Sequence, residues 1–317
     1  MLFHKTIEKL YQAQIYRRCD ETGMVHYFSY QDFPGLKQKA YRFKSSLGHN
    51  LQGYFYHYDN YDENRLIIFE HGFGGGHRSY MKEIELLCRA GYLVFAYDHT
   101  GCMESGGEST MGLAQSLHDL DDCVKALIQD ETINTEDISV VGHSWGGFSA
   151  LNIVSLQPVI KRIVVISGFI SVERMINQNF SGILKGYRKH ILKLEAETNP
   201  YYVGYDATKT LVNFDVKGLL IYSDNDHLVR KDMHYDALSE ALKDKENIEL
   251  VLLHDKGHNP NYRSAAVSYL SELSEKLKKV KNLKTEQEKE QFKNSFDWNK
   301  MTEQDEEVWN QILEFLK

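Results

Sequence analysis

Residues Ile138–Val154 read ISVVGHSWGGFSALNIV, an apolar run that leads into a serine flanked by glycines and then into small and apolar residues. An apolar run of this length, rich in β-branched residues, is typical of a buried strand, and the residues after it suit a helix. Two interpretations compete for Ser144. It is either a serine that caps an ordinary helix, or a nucleophile held on a sharp strand-to-helix turn.

The composition narrows the class of protein. The chain has 317 residues, of which 42% are hydrophobic and 26% are charged, and these fractions are typical of a soluble globular protein. Its formal net charge of −8 argues against a nucleic-acid partner, which would normally face a basic surface.

The spacing of the cysteines and the first twenty residues are used to predict the cellular compartment. Cys19, Cys88, Cys102 and Cys123 form no C-x-x-C pair, which favours reduced thiols over a disulfide framework or a zinc site. The first twenty residues are charged throughout and do not have the pattern of a signal peptide. No apolar run is long enough to cross a bilayer. We therefore expect a soluble cytoplasmic protein with no stable membrane insertion.

The hydrophobic pattern predicts an α/β fold. Residues 36–45 and 50–59 alternate in polarity like two strands joined by a turn. Helical patterns separate most of the apolar runs that follow, so we expect a mostly parallel central sheet with helices on both faces. Those runs are RLIIFEHG, YLVFAYD, ISVVGHS, RIVVISG, KGLLIYS and IELVLLHD.

One long interval, at about residues 170–214, interrupts this alternation without a good strand. Its apolar residues recur at helical spacing, and they are Ile176, Phe180, Ile183, Leu184, Tyr187 and Ile191. Long connections are usually functional or disordered, so we interpret the interval as a helical lid insertion. An extra helix packed on the core is the alternative.

The residues that follow the strands carry the chemistry, because ligands of parallel sheets bind at the carboxyl ends of the strands. A serine, an acid and a histidine follow separate strands in that chain order. The segments are His71-Gly72-Phe73-Gly74, Asp98-His99-Thr100-Gly101, Gly142-His143-Ser144-Trp145-Gly146, Ser223-Asp224-Asn225-Asp226 and Lys256-Gly257-His258.

From residue 36 to 280 the chain resembles the α/β-hydrolases. The resemblance rests on H-G-x-G at His71, D-x-x-G…S-x-G at Asp98, G-H-S-W-G-G at Ser144, and the downstream pair Asp226 and His258. Within that superfamily, HGFGGGHRSY and YDHTGCMESGGES look most like the lysophospholipase, monoacylglycerol-lipase and serine-aminopeptidase branch. The resemblance implies an α/β-hydrolase fold and a serine hydrolase that needs no cofactor.

Each catalytic candidate has a chemical reason. Ser144 needs an adjacent base because an alcohol is a poor nucleophile at neutral pH, and His258 can act as that base. Asp226 would hold the correct tautomer of His258. The backbone N–H groups of Phe73 and Trp145 are the candidate oxyanion hole.

Two rivals compete with the proposed acid and base. The family pattern puts the acid three residues after Ser223, which selects Asp226 over Asp224. His254 lies inside the last strand, whereas His258 follows Gly257 in a loop, so we prefer His258. His254 and His258 could also be read as a metal pair, but no third ligand is suggested, and we expect no metal site.

The candidate substrate-binding residues are His71, Gly72, Gly74, His143 and Tyr187. For His71 and His143 the competing interpretation is a packed, hydrogen-bonded histidine. The sequence also departs from the family pattern at His227, which follows the proposed acid, and at Cys102 and Met103. These departures concern the shape of the pocket and hence the substrate.

We expect a carboxylic ester hydrolase acting on short to medium acyl esters, monoglycerides or lysophospholipids. The alternatives are a serine aminopeptidase or proline-iminopeptidase, a thioesterase, and a non-catalytic binding protein on this scaffold. A peptidase would need an acidic lid residue to hold the free amino group, and the lid glutamates are Glu173, Glu195 and Glu197.

The chain is expected to have three parts. A homodimer is one oligomeric state that we consider. Residues 1–35 form an N-terminal helical segment, 36–280 the hydrolase domain, and 281–317 a helical appendix docked on the domain or on another subunit. In the appendix, Thr302 and Asp305 are the helix-start signals, and the apolar stripe is Val308, Ile312 and Leu316.

Overall fold

The computed structural model describes residues 2–280, 283 and 285–317, without the side chains of residues 2–4 and 279. The predicted start of the appendix at residue 281 lies outside the described residues. The strands are β1 (Lys37–Lys44), β2 (Asn50–His57), β3 (Asp62–Glu70), β4 (Tyr92–Tyr97), β5 (Asp137–His143), β6 (Ile160–Ile166), β7 (Lys217–Ser223) and β8 (Ile248–Leu253). The helices are α1 (Leu2–Ile15), α2 (Met81–Arg89), α3 (Gln115–Gln129), α4 (Trp145–Asn152), α5 (Val172–Asn179), α6 (Arg188–Thr198), α7 (Ala207–Asn213), α8 (Tyr235–Ala241), α9 (Ser264–Lys279), α10 (Glu286–Asn294), α11 (Trp298–Met301) and α12 (Glu306–Leu316).

The strands form one mixed sheet in the order β1-β2-β4-β3-β5-β6-β7-β8. β2 pairs antiparallel with both β1 and β4, and the pairs from β4 to β8 are parallel. All eight predicted strands are present, and the predicted fold class is confirmed. The carboxyl ends of β3, β5, β7 and β8 therefore meet at one edge of the sheet.

Helices cover both faces of the sheet because buried strand residues alternate between two hydrophobic cores. Leu66 and Ile68 of β3 pack into the core covered by α3 and α4, whereas Ile67 and Phe69 pack into the core covered by α2 and α12. The sheet is thus enclosed on both sides.

The C-terminal helix α12 packs on the hydrolase fold itself. Val308, Ile312 and Leu316 are buried in the core that α2 also covers, as the predicted stripe requires. The carboxylate of Asp305 accepts hydrogen bonds from the backbone N–H groups at the start of this helix, which confirms that start signal. Thr302 was wrong as a start signal, because it ends α11.

The predicted lid interval contains α5, a 3₁₀ turn at Gly182–Tyr187, α6 and α7. The helical pattern does not continue through it, because α5 ends at Asn179 and the backbone of Phe180 and Ser181 is not helical. Ile176 and Ile191 are buried, whereas Ile183 is 96% exposed. The interval is therefore a set of short helices, and Ile183 of the predicted apolar stripe lies at the surface.

The N-terminal helix α1 packs against α6 of that interval. Tyr11 donates a hydrogen bond of 2.6 Å from its hydroxyl to Oε1 of the buried Glu195. Glu8 pairs with His190 at 2.9 Å. In the described part of the chain, no helix is both long enough and apolar enough to span a bilayer.

Candidate active site

Ser144 lies on a strained turn between β5 and α4, with φ 56° and ψ −108°. Such a backbone costs about 1–3 kcal/mol for a residue other than glycine. The side chain of Ser144 makes no capping hydrogen bond, so the helix-cap interpretation does not describe it. The turn also needs its glycines, since a Cβ would lie 2.3 Å from the Gly146 oxygen if placed on Gly142, and 2.2 Å from the Glu70 oxygen if placed on Gly146.

Asp226 and His258 follow β7 and β8 and meet at the same edge of the sheet. Nδ1 of His258 lies 2.7 Å from Oδ2 of Asp226. The other carboxylate oxygen accepts hydrogen bonds of 2.8 and 3.0 Å from the backbone N–H groups of Leu228 and Val229. The aspartate is therefore held by three donors.

The protonation of this pair follows from its contacts. Burial alone would raise the pKa of Asp226, but its hydrogen bonds to His258 and to two backbone N–H groups outweigh burial and lower that pKa. The carboxylate is thus ionised at neutral pH and can only accept. Nδ1 of His258 must then carry a proton, which leaves Nε2 as the basic nitrogen.

The two rivals pair with each other instead. Nδ1 of His254 lies 2.6 Å from Oδ2 of Asp224, and the His254 side chain is 79% exposed. Neither residue lines the cavity at Ser144. The rival acid and base therefore form a hydrogen-bonded pair at the surface.

A cavity of about 330 Å³ opens beside Ser144. It contains the nucleophile candidate, the base candidate and both oxyanion candidates, and the rest of its wall is mostly apolar or aromatic. The lining residues are Tyr11, Ile15, Gly72, Phe73, Tyr80, Leu113, His143, Ser144, Trp145, Phe169, Met175, Ile176, Asn179, His227, Leu228, Val229 and His258. An apolar cavity with a few polar groups is the usual form of a small-molecule site.

The two oxyanion candidates come from different elements, Phe73 from the loop after β3 and Trp145 from the start of α4. Trp145 is the first residue of α4, where a backbone N–H has no acceptor within the helix. The N–H of Phe73 makes no hydrogen bond within the described part of the chain. The rings of Phe73 and Trp145 contact each other edge to face at 5.2 Å.

The structure brings two of the five substrate-binding candidates, Gly72 and His143, to the cavity. His71 lies outside the cavity and is fully buried, with Nδ1 2.8 Å from the Gly72 oxygen and Nε2 accepting from the His99 N–H. Burial, the larger influence, and the charge of His99 lower the pKa of His71 to about 3, so this imidazole is neutral. The packed-histidine interpretation describes it.

Gly74 and Tyr187 also lie outside the cavity. Gly74 is an exposed residue with a φ of 89°, a conformation that favours glycine and serves the turn of the loop. Tyr187 belongs to the 3₁₀ turn that replaces the expected continuous helix. The apolar residues that reach the cavity from the lid interval come instead from α5, namely Met175 and Ile176.

Several residues that line the cavity were not predicted from the sequence. Tyr11 and Ile15 come from α1, which the sequence pattern marked only as helical. Tyr80 lies at the end of the HGFGGGHRSY segment, but nothing in its spacing indicated a site residue. Of the three departures from the family pattern, only His227 lines the cavity.

The comparisons with known proteins agree with this fold. A family model described as alpha/beta hydrolase fold matches residues 65–200. A Bacillus subtilis (strain 168) protein named "Uncharacterized protein YqkD" is 26% identical over 147 residues, and that match covers 46% of each chain, so the chain spans about half the length of this relative.

Two solved structures share the architecture. The Pyrococcus furiosus esterase Pf2001 has a TM-score of 0.61 and 22% identity, and the match covers 83% of this chain and 98% of the esterase. A Mycobacterium tuberculosis puromycin-hydrolyzing peptidase has a TM-score of 0.55 and 16% identity, covering 70% of this chain and 36% of the peptidase. Taken with the family match, they establish the class of fold: the chain has the α/β-hydrolase fold.

Proposed function

We propose that this protein is a serine hydrolase that cleaves carboxylic esters with short to medium acyl groups. Ser144 is the nucleophile, His258 the general base and acid, and Asp226 the residue that orients His258. The observation that carries the proposal is the strained Ser144, which opens into the same apolar cavity as His258, whose Nδ1 is engaged by Asp226. Backbone strain at a cavity is a feature of functional sites rather than of plain turns.

The reaction has two halves in this proposal. Oγ of Ser144 attacks the ester carbonyl carbon while Nε2 of His258 takes the hydroxyl proton. The carbonyl oxygen becomes an oxyanion, which the N–H groups of Phe73 and Trp145 stabilise. The bond to the alcohol then breaks, and His258 gives the proton to the departing alcohol oxygen.

The second half regenerates the enzyme. A water molecule gives a proton to Nε2 of His258 and attacks the acyl carbon of the acyl-serine. A second oxyanion forms at the same two N–H groups. Its collapse breaks the bond to Oγ, the proton returns to Ser144, and the carboxylic acid leaves. Asp226 stays ionised throughout and stabilises the imidazolium form of His258.

The lining of the cavity supports esters over peptides with a free amino group. Among the described residues, no aspartate or glutamate side chain lines it, so a substrate ammonium would have no anionic partner there. Of the lid acids, Glu195 is buried and accepts hydrogen bonds from Tyr11 and from the Leu113 N–H. The volume of about 330 Å³ is at the small end for small-molecule sites, which favours short to medium acyl chains.

The test is a panel of p-nitrophenyl esters, from acetate through butyrate and octanoate to dodecanoate, beside an aminoacyl p-nitroanilide. We expect ester hydrolysis by the wild-type protein and loss of about 10³-fold or more in Ser144→Ala and in His258→Ala. Amide cleavage at least as efficient as ester cleavage would overturn the ester assignment. Equal ester rates in the wild type and Ser144→Ala would overturn the serine mechanism.

A further inference from the structure

We propose that Tyr80 and His143 are positioning residues, which form a hydrogen-bonded strut from the Gly72 N–H to the His258 carbonyl. The strut fixes the loop after β3, which carries Phe73, relative to the loop after β8, which carries His258. The inference rests on the proposed function and names two residues that act on its geometry. Neither residue touches the reacting atoms in the proposed mechanism.

Three contacts make up the strut. The Gly72 N–H donates to the Tyr80 hydroxyl at 3.0 Å. The same hydroxyl lies 2.8 Å from Nδ1 of His143. Nε2 of His143 lies 2.8 Å from the backbone oxygen of His258. All three are within the range of well-formed hydrogen bonds.

The donors can be assigned by elimination. A backbone N–H only donates, so the Tyr80 hydroxyl accepts from Gly72 and gives its own proton to Nδ1 of His143. A carbonyl oxygen only accepts, so Nε2 of His143 carries the proton that bonds His258. A single neutral tautomer of His143 therefore satisfies the whole strut.

The charge state of His143 agrees with that tautomer. Burial and, after it, the nearby His258 lower the pKa of His143 to about 3. The imidazole is therefore neutral across the usual range of enzyme assays. His143 does not serve as a second base, because its only basic nitrogen is occupied by the Tyr80 hydroxyl.

The strut connects the three loops that carry the proposed chemistry. Gly72 directly precedes Phe73, and His143 directly precedes Ser144. The carbonyl at the far end belongs to His258 itself. Catalytic groups need to be held within about 0.5 Å of their productive positions, and a hydrogen-bonded strut between their backbones would supply that constraint.

The local sequence is shaped around this contact. A Cβ on Gly72 would lie 2.5 Å from the Tyr80 hydroxyl oxygen and 3.2 Å from Nδ1 of His143. Gly72 has no side chain at the point where its N–H approaches that hydroxyl. The glycine of the H-G segment is thus explained by the strut.

Tyr80→Phe tests the strut, because it removes the hydroxyl and keeps the aromatic ring. We expect the kcat for p-nitrophenyl butyrate to fall about 10- to 100-fold, with KM changed less than about twofold, because the change affects the transition state more than substrate binding. Tyr222→Phe is the matched control. Its buried hydroxyl donates at 2.7 Å to the Gly168 oxygen, and it does not line the cavity.

Substitutions at His143 separate the two ends of the strut. His143→Gln keeps an amide donor near the position of Nε2, whereas His143→Leu removes both contacts. We expect kcat to decrease in the order wild type, His143→Gln, His143→Leu. In ¹⁵N NMR spectra, Nε2 of His143 should be protonated, and its Nδ1 resonance should move toward that of a free acceptor in Tyr80→Phe.

The outcomes distinguish this inference from the proposed function. If the wild-type protein hydrolyses no ester, the proposed function fails and the strut fails with it as a catalytic device. If the wild type is active and Tyr80→Phe retains the kcat of Tyr222→Phe, only the strut is overturned. A wild-type kcat in His143→Leu, or an Nδ1-protonated His143, would also overturn it.

Discussion

The imidazole of His258 and the carboxylate of Asp226 are 2.7 Å apart. Both side chains are largely buried, with exposures of 15% for His258 and 1% for Asp226. A second pair from the same two strand ends, His254 and Asp224, has nearly the same separation, 2.6 Å, but exposures of 79% and 32%. The two pairs differ in burial and in access to the cavity rather than in distance. Only the His258 imidazole lines the cavity that contains Ser144.

Replacing the two aspartates tests which pair is catalytic. Asp226→Asn would favour the wrong tautomer of His258, and we expect kcat/KM for p-nitrophenyl butyrate to fall by about 10⁴-fold, as in related triads. Asp224→Asn is the matched control and should stay within about twofold of the wild type. Comparable losses in both variants would mean that the strand ends act as a unit, and the assignment of Asp226 would be wrong.

The helix α1 should set the preferred acyl length. Ile15 lines the cavity, so Ile15→Ala enlarges it. We expect the ratio of kcat/KM for octanoate over butyrate esters to rise about tenfold, since one or two methylene contacts in an apolar pocket change specificity by this order. Leu10→Ala, on the same helix but 59% exposed, should leave the ratio unchanged. An unchanged ratio in Ile15→Ala would exclude α1 from acyl recognition.

Glu195 should make the stability of the protein depend on pH. Burial is the largest influence and raises the pKa of Glu195 from 4.5 to about 7, although hydrogen bonds from Tyr11 and the Leu113 N–H oppose it. The folded state thus binds this proton more tightly than the unfolded chain. The resulting stabilisation is complete below pH 4.5, decreases as the pH rises, and is lost above pH 7.

Glu195→Gln cannot titrate, so it isolates this contribution. We expect the free energy of unfolding of the wild type, measured by urea denaturation relative to the variant, to decrease by on the order of 3 kcal/mol between about pH 4 and about pH 8. The comparison cancels the contributions of other buried acids, which are the same in both proteins. One such acid is Glu70, since burial also raises the pKa of Glu70 to about 7. A difference that is constant with pH would show that Glu195 is ionised normally in the folded protein.

The C-terminal helix α12 should be part of the stable core. Ile312 is fully buried against the sheet, so Ile312→Ala should reduce the free energy of unfolding by about 2–5 kcal/mol. Ile183→Ala removes the same atoms from a side chain that is 96% exposed, and it should change stability by less than about 0.5 kcal/mol. Equal effects in thermal or urea unfolding would indicate that α12 undocks readily.

Features with local signals could be predicted from the sequence. The turn at Ser144 follows from a strand, two close glycines and a helix in succession, and the placement of Asp226 and His258 follows from the rule that strand ends share one edge. The buried stripe of α12 follows from helical spacing. Each of these depends on neighbours within a few residues, or on a general property of parallel sheets.

Features that depend on distant contacts could not be predicted. An amphipathic pattern shows that α1 buries one face, but not that Tyr11 would reach Glu195, which lies 184 residues away in the chain. The lid interval kept its apolar spacing through Ile183, yet α5 ends at Asn179 and Ile183 is exposed to solvent. The direction of the Tyr80 hydroxyl is set by a loop conformation that no periodic pattern encodes.

The most direct test of the central claim is the intact mass of the protein after treatment with a fluorophosphonate, which modifies serines activated by a neighbouring base. We predict one adduct on the wild type, none on Ser144→Ala, and strongly slowed labelling of His258→Ala. Such a result would establish an activated serine at the strained turn. A wild type that gains no adduct, or a Ser144→Ala variant labelled as fast as the wild type, would contradict the account.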